Sequence, residues 1–171
     1  ALGRAEAVYG PLEDWFINDA DELAALKREA ERISEFMKVS KTCALETGKG
    51  CLSPNMDSLG DLYKIVTADG TSIGFQIGIK SDAEAKIYVD IDGPNKGKTT
   101  EGVDFFVFII YKEDNSVHPY GEGSDISTLI NNKLLYASEW IIKYDNMDYL
   151  KLKNGKCPNG TVPTESNPRC K

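Results

Sequence analysis

Two pairs of cysteines constrain this chain more than any other feature. Cys43 and Cys51 enclose Ala44 to Gly50, and Cys157 and Cys170 enclose a run from Pro158 to Arg169 that is rich in proline and polar residues. Four cysteines allow three connectivities, and the short spacings favour local pairing, Cys43 with Cys51 and Cys157 with Cys170. A zinc site is the competing reading. It needs closely spaced cysteines or histidines, and the single histidine, His118, is far from every cysteine in sequence. Disulfides imply an oxidising compartment such as a periplasm or cell surface. With 171 residues the chain can bury a core of its own, so cross-links add stability rather than replace a core.

The formal charge of -7 argues against a general affinity for nucleic acid or anionic lipid, which would repel it over about 8 Å at physiological salt. Lys151, Lys153, Lys156, Arg169 and Lys171 cluster in the tail and read as solvated. No run of about 18 apolar residues is present to span a membrane.

Periodicity orders the elements. Ala1 to Tyr9 favours helix and stops at Gly10-Pro11. Asn18 or Asp19 reads as the N-cap of a longer helix, in which Leu23, Leu26, Ala30, Ile33 and Met37 share one face and Lys27, Arg28, Glu31 and Arg32 the other. Val39 to Asp61 reads as loop. Strands follow at Leu62 to Thr67 and Ser72 to Ile79, joined through Asp69-Gly70 as a type I′ hairpin turn. Lys86 to Ile91 alternates, and Val103 to Tyr111 reads as a strand buried on both faces. Ser124 to Asn132 suits a short helix, and Leu134 to Lys143 suits helix or strand equally. Helix first and antiparallel sheet second gives an α+β fold in one domain, with the helix on one face of the sheet. Its parts are a helical stretch (1–42), a disulfide loop and connector (43–61), a sheet region (62–150) and a disulfide-closed tail (151–171).

Catalytic signatures are missing: there is no GxSxG element, no Walker loop and no metal-ligand cluster, so no catalytic residue and no cofactor is assigned. His118 would matter only in a cleft that brings Asp or Glu side chains to it. Asp90, Asp92 and Asp104 flank the turn at Gly93 and are candidate Ca2+ ligands, although Pro94 and Asn95 break the EF-hand pattern. The alternative is that Asp92 shapes the turn and Asp104 bonds backbone across it. Asn159-Gly-Thr161 matches the glycosylation sequon.

Val89-Asp90-Ile91-Asp92-Gly93-Pro94-Asn95, followed by Gly102-Val103-Asp104-Phe105-Phe106-Val107-Phe108, resembles a D-x-N-G … G-x-D-x-F-x-F stretch of bacterial type IV pilin-like subunits, including minor pilins and type II secretion pseudopilins. Glu139-Trp140-Ile141-Ile142 and Asn146-Met147-Asp148-Tyr149-Leu150-Lys151 resemble the W-V-I … N-M-D-Y-L-K ending of such subunits, and Cys157 with Cys170 resembles their disulfide-bounded C-terminal loop. Asp92 stands where the family often has asparagine, and Leu152 where a cysteine sometimes follows Y-L-K. The resemblance implies a structural subunit of a pilus or secretion filament, with other pilin or pseudopilin subunits as partners. An apolar helix upstream of Ala1 would anchor it in the bacterial inner membrane before it joins a periplasmic or extracellular filament. An independent cell-surface binding module is the alternative from another class.

Overall fold

A computed structural model describes residues 1–15, 21–47, 49–53, 56, 59–77, 84–94, 99–111 and 116–170. The longest helix, α2 (Glu22–Ser34), starts at Asp21, whose carboxylate accepts the Leu23 and Ala24 N–H groups at 3.1 Å each. These satisfy two of the amides that a helix start leaves open. The cap is therefore Asp21; Asn18 and Asp19 lie outside the described residues. Leu26, Ala30 and Ile33 of α2 meet Ala5 of α1 (Leu2–Tyr9), Leu12 and Trp15 beneath it, and Ile65, Ile73, Phe75 and Ala85 of the sheet. Leu23, placed on this face by spacing, stands exposed. The buried face instead includes Glu29, fully enclosed and gripped by Arg28 at 2.6 Å and Arg32 at 2.8 Å. Spacing alone places both arginines on the outer face. Pairing offsets the cost of burying a charge, and the Arg32 guanidinium also lies over the Tyr9 and Trp15 rings at 5.0 and 5.3 Å.

Among the described residues six strands form one antiparallel meander, in spatial order β1 (Val39–Ala44), β2 (Tyr63–Thr67), β3 (Ser72–Gln76), β4 (Glu84–Asp90), β5 (Phe105–Tyr111) and β6 (Ser116–Pro119). Strand β1 corrects the reading of Val39 onward as loop. It is an edge strand with register shifts after Val39 and after Thr42, and only Cys43 is well buried, so it lacks the alternation that marks a strand in sequence. The β2–β3 turn also differs from the type I′ form. Gly70 alone takes positive φ (93°), Thr67 N–H donates to Thr71 O at 2.9 Å, and the loop has three residues, 68–70. Such loops combine a type I turn with a left-handed glycine. Asp69 serves it from the side by accepting the Thr71 N–H at 3.1 Å.

Within 120–150 the short helix expected between Ser124 and Asn132 forms, and Leu134 to Lys143, open between helix and strand by spacing, is helical from Ala137 onward. Helices α3 (Ile126–Asn131) and α4 (Ala137–Tyr144) and a 3₁₀ turn at Asp148–Lys151 build a second core, in which Trp140, Tyr149, Leu129 and Leu152 pack on Phe106 and against Cys157. Asp125 caps α3 through the Thr128 N–H at 2.7 Å. Ser138 ties α4 to β5 by donating to the Val107 carbonyl at 2.7 Å. Among the described residues no helix is long and apolar enough to cross a membrane.

Candidate functional site

Both local disulfides are formed: Cys43–Cys51 on the sheet face away from α2, with Val66, and Cys157–Cys170 at the border of the second core. The C-terminal loop is tied down at more points than its bridge. Glu165 accepts the Ile126 N–H at 2.8 Å, at the start of α3, and the Tyr144 hydroxyl at 2.7 Å, and pairs with Lys143 at 3.3 Å. The Tyr144 hydroxyl, which donates to it, holds the Glu165 carboxyl below its ordinary pKa. Beside the bridge, Cys170 N–H donates to Asp148, which pairs with Lys151 at 2.6 Å.

The β4–β5 connection gathers most of the remaining residues singled out in sequence. Asp90 is fully buried, and its two oxygens accept the Gly93 N–H at 3.1 Å and the Thr99 hydroxyl at 3.0 Å. Burial, reinforced by the neighbouring Asp92 carboxyl, raises its pKa to about 6. Asp104 accepts the Thr100 N–H at 2.6 Å, and its own carbonyl accepts the Ile91 N–H. Both Asp90 and Asp104 thus bind turn groups. Among the described residues no cluster of three or more His, Cys, Asp or Glu side chains is arranged to hold a metal.

Two glycines here are demanded by geometry. Gly93 (φ 76°) lies so close to Gly70 that a Cβ would come within 2.2 Å of its carbonyl oxygen, and Gly102 (φ 73°) would meet the Leu134 backbone at 2.9 Å. Gly102 also connects the two sequence stretches. The buried Tyr149 hydroxyl donates to its carbonyl at 2.6 Å, and burial pushes that phenol up to about 12, so it remains a donor. Phe106 and Trp140 pack beside Tyr149, and the Trp140 ring N–H donates to Asn146 at 3.1 Å. Met147 is exposed.

Two arrangements escape sequence reading. On β6, His118 Nδ1 lies 2.6 Å from Glu122 and its Nε2 bonds the Ser116 hydroxyl, with the Tyr111 ring alongside. Ser116 and His118 share a strand face two residues apart, a signal visible only once 116–119 is known to be strand. The connectivity is that of a serine, a base and an orienting acid. These three residues do not line the large groove, however. The groove itself, about 580 Å³, lies on the face of β4 and β5 turned away from α2. Tyr88, stacked on Phe105, and Val107 form its floor, Leu59 and Leu135 its rim, and Lys86 reaches over the Tyr120 ring. Its floor residues come from alternate positions of two strands whose other faces pack inward.

No protein-family model, curated protein or solved structure matches this chain.

Proposed function

We propose that this protein is a structural subunit of a type IV pilus or type II secretion filament, a pilin, minor pilin or pseudopilin that acts by assembly rather than catalysis. The observation that supports this reading most is the contact of Tyr149 with Gly102. It joins the G-x-D-x-F stretch to the M-D-Y-L-K stretch, the two segments on which the resemblance rests, at one buried hydrogen bond. The amphipathic helix on one sheet face and the disulfide-closed tail are consistent with it. In such an assembly an apolar helix upstream of Ala1 anchors the subunit in the inner membrane, and weak lateral contacts sum along the filament. The test is co-assembly. The chain, joined to an anchoring helix and produced with pilus or secretion components, should enter sedimentable filaments and cross-link to neighbouring subunits through cysteines placed on the exposed α2 face, for example at Lys27. A subunit that stays dispersed and uncross-linked sinks the proposal.

The groove favours a second reading, an independent surface binding module. Its volume falls within the range of small-molecule sites, roughly 300–1,000 Å³, and its floor is aromatic and aliphatic. Leu135→Asp separates the two: it should abolish ligand capture by a binding module and leave lateral assembly through α2 intact.

A further inference from the structure

Asn159-Gly160-Thr161 is the only Asn-x-Ser/Thr triplet in the chain, and its surroundings give that triplet chemical content. Residues 158–162 are exposed. The Asn159 carboxamide oxygen accepts two hydrogen bonds from Thr161, the N–H at 3.1 Å and the hydroxyl at 2.7 Å. Its nitrogen makes no hydrogen bond among the described residues, which leaves Nδ2 turned to solvent. Two donors on Oδ1 draw electron density toward oxygen and make the Nδ2 protons more acidic. The turn is anchored at its base, where Gly160 N–H donates to the Cys157 carbonyl and Cys157 N–H to the Thr161 carbonyl, both at 2.8 Å, next to the Cys157–Cys170 bridge.

We propose that Asn159 is an acceptor for N-linked glycosylation, with a lipid pyrophosphate-linked oligosaccharide as donor. In the transfer a bond forms between Asn159 Nδ2 and the anomeric carbon of the sugar. The bond from that carbon to the pyrophosphate oxygen breaks, the lipid pyrophosphate leaves with the electron pair, and an Nδ2 proton passes to a base of the transferring enzyme. The compartments agree, because disulfides and N-linked sugars are both added outside the cytosol. Succinimide formation is the competing chemistry of an Asn-Gly pair. It needs the Gly160 nitrogen as nucleophile, and that N–H is committed to the Cys157 carbonyl.

The experiment is production of the chain through a glycosylating secretory pathway, followed by intact mass and peptide mapping. The expected result is a single glycan, at Asn159, removed by an amidase that leaves a carboxylate there. Asn159→Gln and Thr161→Val should each lower occupancy by at least an order of magnitude, Thr161→Ser should retain part of it, and all should form both disulfides. Unmodified Asn159, deamidation without sugar, or a glycan persisting in N159Q overturns the proposal. None of these outcomes depends on whether the chain enters filaments.

Discussion

The two cores of this molecule are built on different principles. The first, under α2, is mainly aliphatic: Leu26, Ile33, Ile65, Ile73 and Ile77 meet through regular helix and strand periodicity. The second is centred on aromatic residues, with Trp140 edge-on to Tyr144 and Tyr149, and is closed by polar ties between segments distant in sequence. Periodic burial makes a core that tolerates polar change around it. A core joined by Tyr149, Ser138, Glu165 and a disulfide depends on single atoms, each a place where one substitution reaches several segments.

The sharpest way to break this contrast is at Trp140, fully buried in the second core. Trp140→Ala should cost about 4 kcal/mol in chemical denaturation. Native-state hydrogen exchange should show the loss in α3, α4 and the tail, while β2 and β3 keep their protection. Equal loss in both cores would mean that they unfold as one unit.

Next in size are the bridges. Chain-entropy arguments assign about 3 kcal/mol to the larger Cys157–Cys170 loop and about 2.5 kcal/mol to Cys43–Cys51. Replacing Cys157 and Cys170 by serine should loosen the tail first, read as proteolysis between Pro158 and Arg169, with the sheet still folded. Cleavage within β2 to β4 at the same protease dose would contradict it.

Tyr149→Phe sharpens the comparison at one atom. It leaves the buried Gly102 carbonyl without its donor and should cost about 1–2 kcal/mol, with the packing of the ring preserved. A cost below a few tenths of a kcal/mol would show that the hydroxyl does not link β5 to the C-terminal half.

Smallest is the response to pH, where the β4–β5 turn and the C-terminal tail should differ in sign. The Asp90 carboxyl is raised to about 6, above its unfolded value, so the native state binds more protons than the unfolded chain between about pH 4 and 6. Its contribution is fully present below that window and is lost as pH rises through it. Asp90→Asn should flatten this slope and raise stability at pH 7 by about 1 kcal/mol. Asp148 and Glu165 behave oppositely. Their pKa values are lowered, by bonds to Lys151 and to Tyr144 respectively, so their contribution is present at neutral pH and falls as acid protonates them. Thermal melts of D90N and E165Q from pH 3 to 7 check both signs.

Local patterns carried much of this architecture. The spacing of Leu26, Ala30 and Ile33 specified a helix with one buried face, and the alternation in β4 and the apolar run in β5 specified strands. The short cysteine intervals favoured both bridges among three connectivities, because loop closure between near neighbours is the least costly. What local spacing could not reveal was whatever depends on residues far apart. Strand β1 carries little pattern of its own and exists because β2 offers its free edge. Leu134 to Lys143 could be helix or strand until Phe106 supplied a surface for Trp140 to pack on. Glu29, an acid in an amphipathic helix, is buried where Arg28 and Arg32 close over it. Gly102 needs to be glycine because Leu134 passes against its Cα, and the Tyr149 hydroxyl finds its carbonyl across the fold. Sequence determines periodic burial and favours short cross-links, since both are local; tertiary structure alone decides which polar atoms end up buried together.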